Sequence, residues 1–156
     1  MTPVNVVWWV LFFIAGVGVQ QALPGIDALV IALLLALQER RPLQLLSVTV
    51  GFILVQEGVG TLDFGASLLW SFLVVSLFFI GRWLFETENF LFMFMISGCI
   101  GAGHCGVLWL MARLQYTTVN MTDLLDESIL QALFIPFAWK FAMFARRWVV
   151  PHENTA

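Results

Sequence analysis

Apolar runs about as long as a bilayer is thick dominate this chain, and the polar breaks between them are short. From Val4 to Leu23 there is no Asp, Glu, Lys or Arg. A hydrocarbon core about 30 Å thick takes about 20 helical residues to cross. Backbone inside it must satisfy its own hydrogen bonds, as a helix or as a closed barrel. The runs lack the polar alternation of barrel strands. The chain is therefore expected to be all-α, a polytopic membrane protein with six transmembrane helices. Composition agrees: 61% of the residues are hydrophobic and 11% charged, against about 45–50% apolar and about 25% charged in soluble domains. The expectation is a single helical membrane domain over 1–150 followed by a polar tail over 151–156, without a soluble domain.

Breakers divide the apolar sequence into segments. The first runs from Val4 to Leu23 and stops at Pro24–Gly25. The second runs from Ile26 to Gln38, ends at "ERRP", and is short enough to be a re-entrant half-helix. The others run from Leu43 to Gln56, Ser67 to Phe85, Asn89 to Leu114 and Thr122 to Val150. The basic residues test this division. With all six segments crossing and the N-terminus inside, Arg40, Arg41, Arg82, Arg146 and Arg147 fall on the cytoplasmic side, and Lys140 can snorkel to it. Arg113 alone falls outside. This bias obeys the positive-inside rule and puts both termini in the cytoplasm. Trp8, Trp9, Trp83 and Trp148 fall near the inner interface, Trp70 and Trp109 near the outer one, and Trp139 deeper, where packing is expected. The N-terminus "MTPVNVVWWV" has no basic residue of the signal-peptide kind, so the first span is expected to be retained. Cys99 and Cys105, roughly 240° apart around one helix, are not expected to pair.

Ionisable and flexible residues inside such a chain are the candidates for function. The stretch "GFILVQEGVGTLDFGASLLW" places Glu57 and Asp63 among glycines that include Gly60 and Gly65. It reads either as a solvated loop or as an irregular segment folded into the bundle, with Arg113 as the expected partner of Glu57. His104, in "SGCIGAGHCGVLW", reads as a neutral side chain hydrogen-bonded to a neighbouring helix, or else as a proton relay or a cofactor ligand. The small residues around it, among them Gly98, Gly101 and Gly106, form small-xxx-small pairs that let another helix approach closely. Lys140 reads as a snorkelling cation. Asp123, Asp126 and Glu127 complement the N-terminal dipole of the last helix, with Thr122 as its N-cap. No catalytic motif, phosphate-binding loop or dinucleotide fingerprint is present, a zinc site lacks ligands, and no basic patch suits nucleic acid. The expectation is a protein without catalytic residues, metal or cofactor.

Two adjacent segments carry a family resemblance. "PGIDALVIALLLALQERRP", with Pro24, Asp27, the run from Leu29 to Leu37 and Arg40–Arg41, resembles the second span of the rod shape-determining protein MreD family. The following segment, with Gly51–Phe52, Gln56–Glu57 and Gly65, resembles that family's next one, although the acid is Glu where Asp is usual and Thr61 stands at a position that usually carries Gly. The resemblance implies a fold similar to the substrate-binding subunits of energy-coupling-factor vitamin transporters. It also implies a non-enzymatic scaffold of the bacterial inner membrane, bound to an MreC-like partner and through it to the peptidoglycan synthase and the cell-elongation machinery. Glu57, Gly60, Asp63 and Gly65 would then form a structured outer turn, and Gly98, Gly101 and Gly106 close-packing points. The rival expectations are a vitamin-importer subunit with an outward pocket and an accessory subunit of another membrane complex.

Overall fold

The computed structural model describes residues 3–59, 65–84, 89–116, 118 and 120–149. Gly60, Asp63 and the polar tail lie outside the described residues. Six helices make up the bundle: α1 (Pro3–Ala22), α2 (Val30–Gln38), α3 (Pro42–Val59), α4 (Ala66–Leu84), α5 (Phe90–Leu114) and α6 (Met121–Val149). Four of them, α1, α4, α5 and α6, are long and apolar enough to cross a membrane, and α3 is a shorter apolar helix. Large apolar side chains such as Leu46, Leu54, Phe72, Ile80, Phe137 and Phe141 point outward. An apolar mantle of that extent suits lipid rather than water.

The shortest helix is the centre of the molecule. α2 has nine residues, and its eight apolar positions from Val30 to Leu37 are all buried. α1, α3, α4 and α6 pack around it, and α5 closes the bundle against α4 and α6. At about 1.5 Å per residue α2 is only about 13 Å long. The non-helical stretch Ile26 to Leu29 leads into it and is buried too. Irregular backbone is tolerated at membrane depth where protein covers it, and here helices do so on every side.

Consecutive helices alternate in direction. Asn5 of α1, Gln44 of α3 and Arg146 of α6 are hydrogen-bonded together at the Glu39 end of α2. Gln20 of α1, Gln56 of α3 and Trp70 of α4 meet at the Asp27 end. The second segment therefore runs from one polar layer to the other and does not turn back. It crosses as expected and is not a re-entrant half-helix, and α1, α3, α4 and α6 wrap it. The first residues of α1 and the last of α6 share one end of the bundle.

Helix ends follow local chemistry. Asn89 Oδ1 accepts from Leu91 N at 3.0 Å and caps α5. Asn120 Oδ1 accepts from Thr122 N at 3.2 Å, so Asn120, not Thr122, caps α6. An Asn one residue before the first helical position is the better-placed acceptor. α3 continues through Glu57 and Gly58 to Val59, beyond the expected end at Gln56.

Candidate functional site

Asp27 is buried in the turn between α1 and α2. Gly25, with φ +87°, lets the chain reverse out of α1, and a side chain there would collide with Glu127 of α6. Asp27 Oδ1 then accepts from Leu29 N at 3.1 Å, an Asx turn that starts α2. The same oxygen accepts from Gln20 Nε2 and Gln56 Nε2, both at 2.8 Å. Oδ2 accepts from Trp70 Nε1 at 2.7 Å. Gln131 of α6 binds the main chain of the same residue twice: its Oε1 accepts from Asp27 N at 2.7 Å and its Nε2 donates to Asp27 O at 3.0 Å. Asp27 thus ties α1, α3, α4 and α6 to the entry of α2. A buried acid is tolerable only with such a complement of donors.

A second layer closes the other end of α2. Glu39 receives Nε and Nη2 of Arg146, and Gln44 Nε2 donates to the same carboxylate. Arg146 Nη2 also donates to Asn5 Oδ1 at 2.8 Å, and Asn5 Nδ2 donates to Gln44 Oε1 at 2.9 Å. About two turns before Arg146 on α6, Trp139 Nε1 donates to Gln38 Oε1 at 2.8 Å. On α1, Asn5 and Gln20 are about four turns apart, so roughly 22 Å separates the two layers.

The residues singled out from sequence are spread over other surfaces. Glu57 Oε1 accepts from Gly65 N at 2.9 Å, and Gly65 has φ +98°. Glu57 therefore caps the start of α4 across the interhelical break. Arg113 is not its partner: the guanidinium stands 5.2 Å above the ring of exposed Trp109. His104 forms no hydrogen bond through Nδ1 to the described residues; its ring packs edge-on to Trp70 at 5.3 Å. Lys140 is exposed, with Nζ 5.4 Å from the centroid of the Phe90 ring. Trp70 is a buried donor and not an interfacial anchor, whereas Trp139 packs inside as expected.

The small residues of α5 divide into two faces. Gly101 faces α6, where a Cβ would stand 2.7 Å from Ser128 O and 2.8 Å from Ala132 Cβ. It is a close-packing point. Gly98 and Gly106 have open space around them and, with Ala102, form an exposed stripe. Cys99 and Cys105 are free thiols. Among the described residues no His, Cys, Asp or Glu side chains gather in the threes a metal ion requires.

Sequence reasoning missed Asn5, Gln20, Gln44, Gln131 and the Glu39–Arg146 pair as network members. Asn5, Gln44 and Gln131 each lie between apolar neighbours and Gln20 pairs with Gln21 inside an apolar run; amides in such settings are the signal that could have found them. Fold and polar layers together define an all-α, multi-pass membrane protein built around a sequestered central helix. No family model, curated protein or solved structure matches the chain.

Proposed function

We propose that the protein is a non-catalytic scaffold of the bacterial inner membrane, of the MreD type, which binds an MreC-like partner of the cell-elongation machinery. In this reading both termini are cytoplasmic. The observation that carries it is the filled centre. α2 occupies the middle of the bundle, and the acid at its entry is fully engaged by Gln20, Gln56, Trp70 and Leu29 N. Chemistry open to a partner is therefore on the outer faces. Those faces include the stripe Gly98–Ala102–Gly106, where another helix can come close. The segment that carries the family resemblance, Pro24 to Pro42, is also the one around which everything else packs. A vitamin-importer subunit would instead need an outward pocket lined by unengaged polar groups.

The test is photo-crosslinking in native bacterial membranes from a benzoylphenylalanine at Ala102, with one at Leu54 of α3 as control. Recovery of an MreC-like protein or a peptidoglycan synthase from position 102 and not from 54 is the expected result. Recovery of transporter ATPases, or a vitamin copurifying with the chain, would replace the scaffold reading with the importer one.

A further inference from the structure

The Glu39 layer has more donors than acceptors. Arg146 is only 7% exposed, and its Nη1 has no acceptor among the described residues. Its guanidinium carbon stands 4.7 Å from the centroid of the Trp9 ring and 5.9 Å from that of Trp8. The indole Nε1–H groups of both tryptophans are buried, and they too have no acceptor among the described residues. Three donor nitrogens, one on the cation and one on each indole flanking it, are therefore unsatisfied among the described residues. The acceptors of the layer are already committed. Glu39 takes Arg146 and Gln44, Asn5 Oδ1 takes Arg146, and Gln44 Oε1 takes Asn5. A buried donor left unbonded costs about 1–3 kcal/mol, so three in one place call for an acceptor from outside.

The surroundings specify its charge and entry. Arg40 and Arg147 are exposed beside Glu39 and Arg146 in the chain, and Arg41 follows Arg40. Against these four arginines the described part of this end carries Glu39 as its acid. Arg146 is one turn from the end of α6, and Trp8 and Trp9 are within two turns of the start of α1. That is the depth of lipid headgroups and of the aromatic belt. Trp8 is half-buried, and its neighbours Val6, Val7 and Val10 face outward, so the lipid side offers the way in. A phosphate diester is acceptor-only and anionic, which matches the three donor nitrogens left unsatisfied on the side of Arg146 not taken by Glu39 and Asn5.

We infer that Trp8, Trp9 and Arg146 form a binding site for a phosphate-type oxyanion, supplied by a phospholipid headgroup or by free phosphate. Arg146 Nη1 supplies the charge-assisted bond, and the two indole N–H groups fix the oxyanion over the arginine. The site is independent of the scaffold reading, because it requires no protein partner.

The test uses the full chain, with 15N-labelled tryptophan, in a phosphate-free maltoside detergent. Indole proton–nitrogen correlation spectra are recorded, with Trp8→Phe and Trp9→Phe assigning the two signals. Three additions are compared: dihexanoyl phosphatidylglycerol, dihexanoylglycerol with the same chains but no phosphate, and inorganic phosphate. The expected result is a saturable downfield shift of the Trp8 and Trp9 indole protons with the phospholipid and none with dihexanoylglycerol. A shift with inorganic phosphate alone supports the site and makes free phosphate its source. Trp8→Phe and Trp9→Phe, each of which keeps an aromatic face over Arg146 and leaves the other indole as the reporter, should each weaken binding about tenfold. If Trp9→Phe does not fold, Trp8→Phe, at the half-buried position, should still weaken it measurably. No shift with either phosphate source, an equal shift with dihexanoylglycerol, or undiminished binding by the phenylalanine variants overturns the proposal.

Discussion

Asp27 joins four helices through its side chain and its own main-chain N–H and C=O, and the side-chain donors its carboxylate receives are uncharged: Gln20, Gln56 and Trp70. An amide in its place cannot serve them all. Whichever way the amide is turned, its NH2 opposes either the indole N–H or the two glutamine amides. Asp27→Asn should therefore destabilise the fold by about 1–3 kcal/mol. Trp70→Phe removes the donor to Oδ2 and should cost a similar amount. Because the NH2 introduced at position 27 no longer meets a donor when the indole is gone, the double variant should lose less than the sum by at least about 0.5 kcal/mol. Unfolding in mixed micelles, followed by far-ultraviolet circular dichroism, measures this cycle, and strict additivity would disprove the direct coupling. A second contrast separates the faces of α5. Gly101→Ala forces a methyl group against Ser128 O and Ala132 and should cost about 1–3 kcal/mol. Gly98→Ala meets open space and should leave the fold unchanged or stabilise it by about 0.5–1 kcal/mol. Equal effects of the two on thermal unfolding would contradict the assignment of faces.

Among the elements, α2 shows what sequence can and cannot reveal about a protein in lipid. The apolar runs and their breakers disclose where the helices lie, because lipid and protein interior both reject charge. For the same reason they do not disclose which helix is inside. Lipid tails are as apolar as leucine, so the unbroken Leu29 to Leu37 run reads alike in either place. Length is the one hint: a segment from Ile26 to Gln38 is short for a span facing lipid by itself. The network is legible only in part. Asp27 stands out through the family resemblance, but its partners Gln20, Gln56 and Gln131 come from sequence separations as large as 104 residues, which no local pattern encodes. Truncation should locate the core directly. Leu34→Ala, at a fully buried position of α2, should cost about 2–5 kcal/mol. Leu54→Ala, on the outward face of α3, should stay within about 0.5 kcal/mol of the parent. Comparable losses in a denaturant titration would argue against a central α2.

At the scale of the whole molecule, alternating helices and two polar layers make a testable sidedness. In a background with Cys99 and Cys105 replaced by Ala, single cysteines at Arg40 and Arg147 should react with an impermeant maleimide from one face of the membrane. A cysteine at Gln115, beyond the far end of α5, should react from the other. Labelling of 40 and 147 from opposite faces would break the alternation. The proposed cytoplasmic termini predict that the face carrying Arg40 and Arg147 is the one labelled from the cytoplasmic side. The enclosure of α2 also bears on how the chain is made. A nine-residue helix emerging from the ribosome has too little greasy length to settle in a bilayer unaided. The clasps at both its ends, Gln131 on Asp27 and Arg146 on Glu39, arrive only with α6. Biogenesis must therefore shelter the second segment until α6 has been made. Nascent chains halted before α6 should remain in the care of the insertion machinery.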